Sequence, residues 1–138
     1  MSYKSVMARR VIDQLYIAYF LEEGAKYMIN RFNNIENLKK YKHIHMIGIG
    51  GISMSGIAEI LRNWGICVTG SDIAKSKITD KLASHGIYVS IGNDTSLAQK
   101  SDLIVYSAAI KSDDPEMIIA KQRNIDMIER SDFIRIYY

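Results

Sequence analysis

A chain of 138 residues, 48% apolar and 24% charged, has room for one domain with a self-sufficient core and is too apolar to remain disordered. Its net charge of +3 comes entirely from residues 1–40, which hold seven Lys/Arg against four Asp/Glu, whereas residues 41–138 hold eleven of each; a neutral body argues against nucleic-acid binding. The single cysteine, Cys67, excludes a disulfide framework and a multi-cysteine zinc site and fits a reducing cytoplasm, and no apolar run approaches the ~20 residues that span a bilayer.

Residues 1–40 read as an amphipathic helical extension. Val11, Ile12, Leu15, Tyr16, Tyr19 and Phe20 recur at three- and four-residue spacing, and Met28, Ile29 and Phe32 resume the stripe before Asn33-Asn34 stops it. Such a stripe is expected to pack on its own domain or to drive self-association. Lys4, Arg9, Arg10, Asp13, Glu22 and Glu23 break up any secretory signal, and the acidic members weaken a membrane-surface reading.

From residue 41 the period alternates between strand and helix. His43–Ile47 is a short strand ending in glycines, and Ile52–Trp64 is a helix with Ile57, Ile60 and Leu61 on one face and Gly65 as its stop. Residues 66–69 form a second strand and Ile78–His85 a second helix, closed by Gly86. Ile87–Ile91 is a third strand, followed by a turn or short helix over Asp94–Gln99. Leu103–Tyr106, an unbroken apolar run, suits a strand buried on both faces. Asp114-Pro115-Glu116 opens a helix with an acidic cap, proline at the first position and a carboxylate in the first turn. Asp126–Ile128 is a fifth strand, and another helix begins near Ser131. The alternation predicts an α/β fold over residues 41–138: a Rossmann-like open parallel sheet of about five strands with flanking helices and right-handed crossovers.

The loop Gly48-Ile49-Gly50-Gly51-Ile52-Ser53-Met54-Ser55 lies between the first strand and the first helix, the setting in which a glycine loop binds a diphosphate. Gly48 permits the turn, and Gly50 and Gly51 let an anion approach the backbone. The helix start offers amides and the positive end of its dipole. Ser53 holds the third-glycine position, where a small residue allows close packing, and Ser53 and Ser55 carry hydroxyl donors. About twenty residues on, the second strand ends in Gly70-Ser71-Asp72, placing a carboxylate near the sugar or base of a nucleotide. Taken alone, these features also suit an NAD(P)-binding dehydrogenase or redox sensor.

The run His45-Met46-Ile47-Gly48-Ile49-Gly50-Gly51-Ile52-Ser53-Met54-Ser55-Gly56-Ile57-Ala58-Glu59 resembles the opening of the Mur ligases, most closely those that add L-alanine to UDP-N-acetylmuramate in peptidoglycan precursor synthesis. Their pattern is H-F-I-G-I-G-G-x-G-M-S-G-I-A-E. The resemblance continues through Gly70-Ser71-Asp72, Asp102–Ile110 and Asp114-Pro115-Glu116, and covers about residues 43–134. It departs at Ser53, where the family usually has glycine, and at Asn93, where histidine is common.

The resemblance implies a first domain that binds the UDP moiety of the sugar nucleotide. Residues 48–55 would hold the diphosphate, while Ser71, Asp72, Ser107, Ala108, Ala109 and Ile110 would line the uridine crevice. ATP and magnesium would serve a second domain of the full-length family, which activates the muramoyl carboxylate as an acyl phosphate. No G-x-x-x-x-G-K-[ST] loop occurs in the sequence, so this stretch is expected to be the substrate domain alone, a fragment or a truncated relative, without catalytic residues of its own. A non-catalytic binding or assembly module is the remaining alternative.

Several residues have plainer readings. His43 and His45 point to one face of their strand, but with no third ligand nearby they are expected to be structural rather than a metal site; His45 also matches the family pattern. Cys67 is expected to be an inert residue inside a buried strand. Met54 serves the core or the ligand. Asp113 and Asp114 are expected to cap a helix.

Overall fold

The structure, a computed structural model, describes Asn34 and residues 36–137. The helices read in residues 1–33, and the self-association expected of that segment, lie outside the described residues. The elements follow the alternation of the sequence: β1 (His43–Ile47), α1 (Ile52–Asn63), β2 (Cys67–Asp72), α2 (Lys77–Ser84), β3 (Tyr88–Ile91), α3 (Thr95–Lys100), β4 (Leu103–Tyr106), α4 (Pro115–Gln122), β5 (Asp126–Glu129) and α5 (Arg130–Tyr137). The sheet is parallel throughout, in the order β3-β2-β1-β4-β5. This is the Rossmann-like architecture expected from the sequence.

The side chains of β1 divide between two cores because a strand alternates its faces. Ile44 and Met46 join Met54, Ile57, Ala58 and Leu61 of α1, Leu82 of α2 and Phe133 of α5. Ile47, on the opposite face, joins Ala98 of α3 and Met117 and Ala120 of α4, with Ile104 of β4. Both faces of the central strands are therefore covered, and each fully buried aliphatic side chain contributes roughly 1.5–3 kcal/mol.

Local chemistry sets the helix ends. The Ser76 hydroxyl accepts from the Thr79 amide and the Thr79 hydroxyl accepts from the Ser76 amide, a reciprocal cap on α2. Asp94 caps α3 through the Leu97 amide. Asp114 caps α4 by accepting from the Glu116 and Met117 amides, with Pro115 in the first turn; Asp113 makes no cap. On α1, Ile57 and Leu61 are buried as expected and Ile60 is half-buried.

Cys67 departs from its reading. It opens β2, opposite His43 on β1, and is exposed. Its hydrophobic neighbours mark the strand correctly, but the pattern does not distinguish the strand's open amino end from its buried middle, where Val68, Thr69, Gly70 and Ser71 lie.

Candidate functional site

The carboxyl ends of β1, β2 and β4 converge where the chain leaves β1 for β2 on one side and β4 lies on the other. Parallel sheets open a crevice at such a reversal of strand order. Here the cavity is about 310 Å³. Gly48, Gly51, Ser71, Asp72, Ser107, Ala109 and Ile110 line it, seven of the residues the sequence placed at the site, and Asn93, Asp114 and Glu116 complete its polar wall. Ala108, beside them in the chain, is exposed and outside the lining.

The glycine loop is tied to β2. Ser71 carbonyl oxygen accepts from the amides of Gly48 (2.9 Å) and Ile49 (3.0 Å). Asp72 Oδ2 accepts from the Gly50 amide at 2.9 Å, and its Oδ1 accepts from Ala74 at 3.2 Å. The Gly51 amide donates back to Gly48. Gly48 sits at φ +81°, a left-handed turn that disfavours any side chain. Across the loop, a methyl group on Gly70 would meet Ile49 Cδ1 at 2.5 Å and the Met46 carbonyl oxygen at 2.8 Å, so the close approach of loop and strand requires glycine there.

The first four loop amides are thus engaged within the protein. The donors next in line are the first-turn amides of Ile52, Ser53 and Met54, which precede the first Ser55-to-Gly51 bond of α1 and receive no side-chain cap. The side chains of these residues do not face the crevice. Ile49 and Met54 are buried in the core. Ile52 and Ser55 border a groove toward α2, Ile52 and Ser53 a shallow depression toward Ile134 of α5. Ser55 Oγ donates to the Ile52 carbonyl at 2.9 Å. If this loop meets an anion, it does so through main-chain N–H groups.

Glu116 is the residue whose role the sequence reading missed. Read as a first-turn carboxylate, it is 0% exposed and forms the floor of the crevice. His45 Nε2 donates to Oε1 at 2.8 Å, Ser71 Oγ donates to Oε2 at 2.7 Å, and the Asp94 amide donates to Oε1 at 3.2 Å. With its amide nitrogen turned toward the acids, Asn93 donates to Glu116 Oε2 and Asp114 Oδ2, both at 3.2 Å. Burial by itself pushes the Glu116 carboxyl up; hydrogen bonds from His45 and Ser71, the His45 charge and the Asp94 amide outweigh it and hold the group below the ordinary carboxylate value. The signal for this role was His45 on a central strand, since a buried imidazole needs partners.

His43 and His45 do share a face, and both meet Thr69 Oγ1, at 2.7 and 2.8 Å. Among the described residues no group of three or more His, Cys, Asp or Glu is placed to hold a metal ion. No described helix is long and apolar enough to cross a membrane.

Residues 43–137 match the family described as "Mur ligase family, catalytic domain". A UDP-N-acetylmuramate–L-alanine ligase of Clostridium botulinum (strain Kyoto / Type A2) is 52% identical over 103 residues, 75% of this chain and 22% of that protein. The enzyme of the same name from Acetivibrio thermocellus is 52% identical over 92 residues, 67% of this chain and 20% of that protein. Among solved structures, the UDP-N-acetylmuramate-alanine ligase MurC of Thermotoga maritima superposes with a TM-score of 0.65 at 30% identity, covering 69% of this chain and 22% of that one. The chain thus spans about a fifth of the length of these relatives.

Proposed function

Because the chain belongs to the Mur ligase family, we propose that its crevice binds the UDP portion of UDP-N-acetylmuramate, as the substrate domain of an L-alanine-adding ligase in peptidoglycan precursor synthesis. The observation that carries this reading is the juxtaposition of the crevice with the uncapped amino end of α1. The two parts suit different parts of one ligand. The crevice wall is rich in acceptors, with Asp72, Asp114 and Glu116 carboxylates, and favours groups that donate, such as a base N–H or sugar hydroxyls. A diphosphate is repelled by those carboxylates and attracted to the Ile52–Met54 amides, where the helix dipole is positive. The nucleoside therefore goes inward and the diphosphate lies over the helix start, with Ser107 and Ile110 bounding the opposite side. Asp72 faces the ligand while remaining bonded to Gly50.

ATP and magnesium belong to the longer enzymes in this reading. The sequence has no Walker-type loop, and among the described residues no group of three or more His, Cys, Asp or Glu is placed to hold a metal ion, so these residues do not fit either group. This stretch binds and orients substrate; its cellular setting is the cytoplasm, where nucleotide-linked precursors are made.

A ligand that binds only the folded state stabilises it, by about 2.7 kcal/mol at a hundred times its dissociation constant. UDP and UDP-N-acetylmuramate are expected to raise the melting temperature in a saturable way, and NADH is not. A shift with NADH and none with either uridine nucleotide refutes the proposal.

A further inference from the structure

Arg130 opens α5 directly after β5. It is half-buried, and its Nε is enclosed without a hydrogen-bond partner, the only buried side-chain nitrogen or oxygen so placed among the described residues. The ion pairs among the described residues do not include it. The acids beside it in the chain face elsewhere. Glu129 accepts from the Ser131 hydroxyl at 2.8 Å, and Asp132 pairs with Arg135 at 3.4 Å. A guanidinium only donates, and an enclosed donor left unmatched is costly. The position adds to that cost, because the first residue of a helix lies at the positive end of its dipole, where a cation is repelled.

The fold carries this cation to the diphosphate end of the site. Glu129 lies opposite Tyr106, and Tyr106 opposite Ile47. The next residues in the three segments are Arg130, Ser107 and Gly48, so Arg130 stands level with two residues of the site, about 10 Å from Gly48 across two strand spacings. Ile128 of β5 and Phe133 and Ile134 of α5 pack into the core that α1 covers. Ile134 also borders the shallow depression beside Ile52 and Ser53. Arg130 is four residues before Ile134 and shares its stripe of α5, and helical side chains lean toward the helix start. Both α1 and α5 follow strands of one parallel sheet and begin at its carboxyl edge. Arg130 is thereby directed toward the start of α1, where the amides of Ile52, Ser53 and Met54 have no side-chain cap.

Charge gives this placement its meaning. The crevice is lined by Asp72, Asp114 and Glu116 and by no lysine or arginine. A diphosphate over the start of α1 meets only about half a positive charge from the helix dipole. We propose that Arg130 is the side-chain cation for the ligand's diphosphate, closing on its oxygens from the β5 side while the Ile52–Met54 amides hold them from α1. This deepens the uridine-nucleotide reading and rests on it. The planar fork of a guanidinium matches phosphoryl oxygens in pairs, and Nε gains the acceptor it lacks. Specificity is then divided: the crevice reads base and sugar, and Arg130 reads the phosphates.

Calorimetric titration and NMR of the full chain test this with three probes: uridine, UDP and inorganic pyrophosphate. UDP and pyrophosphate are expected to shift the Arg130 Nε–H signal together with the Ile52–Met54 amides, and uridine is not expected to shift Arg130. Arg130→Gln is expected to weaken UDP and pyrophosphate about tenfold or more, equivalent to 1.4 kcal/mol, and to leave uridine unchanged. Arg130→Lys, which keeps the charge and loses the fork, is expected to restore part of that loss. Because the cation has no internal partner, Arg130→Gln should melt no lower than the parent chain; a purely structural arginine predicts a lower melting temperature with unchanged affinity. Lys111→Gln, which removes an exposed cation next to Ile110, is expected to cost less than Arg130→Gln. Equal UDP affinity in the parent and Arg130→Gln overturns the proposal, as does an Arg130 signal that neither UDP nor pyrophosphate moves, or a larger loss from Lys111→Gln. Pyrophosphate binding through Arg130 with no gain from the attached uridine refutes the uridine-nucleotide reading instead and leaves the anion contact standing.

Discussion

Replacing Glu116 by glutamine keeps the shape of a fully buried side chain and removes its charge. Glu116 accepts from His45 at 2.8 Å, Ser71 at 2.7 Å, and the Asp94 amide and Asn93 at 3.2 Å each. Glutamine can keep its oxygen toward His45 and Asp94, but those bonds become neutral. Its new amide group meets the Ser71 hydroxyl, which rotates to accept, and the Asn93 nitrogen, which cannot. Asn93 cannot simply turn over, because its oxygen would then face Asp114. One bond is lost and the charge assistance of the others disappears; with hydrogen bonds to charged groups worth about 1.5–3 kcal/mol, Glu116→Gln is expected to cost about 2–4 kcal/mol. Small domains have about 5–15 kcal/mol in total, so the variant still folds and urea denaturation measures the loss. The Glu116 carboxyl titrates lower in the folded chain than its ordinary value of 4.5. Its contribution is therefore fully present above that value and disappears as the pH falls through the folded-state value. The gap between the parent chain and Glu116→Gln should narrow in acid over that window. A loss below about 1 kcal/mol at neutral pH, or a gap that stays constant into strong acid, would refute the account of Glu116 as an ionised keystone.

Three further changes probe the frame around the site. Gly70→Ala drives a methyl group into Ile49 and the Met46 carbonyl, and is expected to cost about 1–3 kcal/mol in chemical denaturation and to weaken UDP binding by displacing the loop. Asp114→Ala removes the α4 cap and an Asn93 partner, with an expected loss of about 0.5–2 kcal/mol and a lower melting temperature. Tyr41 donates to Asp126 at 2.8 Å, and burial, with that bond and the Asp126 charge, pushes its hydroxyl from 10.0 up to about 12. The folded chain resists ionising Tyr41, so stability should fall as pH rises through that interval; Tyr41→Phe should flatten that part of the pH profile in thermal melts.

The architecture was legible because its signals are local. Alternating apolar residues, the Asp114-Pro115-Glu116 start and the glycine loop each specify an element within a few neighbouring residues, and their order implies a parallel sheet. The side chains of the loop were harder to place: Ile49, Met54 and Ser55 serve the core and helix, leaving only main-chain groups to meet a ligand. Asp72 was read as a ligand contact, but the Gly50 amide it also holds depends on where the loop turns in space. Glu116 was hidden for the same reason. It lies 71 residues from His45, and one sequence does not say which distant carboxylate a buried histidine finds. The local cues that correctly announced a helix start also supplied a sufficient surface role for that acid.

Strand β1 is paired on one side with β2 and on the other with β4, whose Leu103 lies opposite Ile44. A nascent chain emerging from the ribosome can complete the first pairing early, but the second waits for some sixty residues of synthesis and a non-local closure, the slow kind of step in sheet assembly. Until then the growing polypeptide has a glycine loop without its opposite bank and exposes the bare hydrogen-bonding edge of β1. Under the proposed function, uridine-nucleotide binding waits for β4 to dock, and ribosome-stalled chains ending before Leu103 should be indifferent to UDP while those including α4 respond.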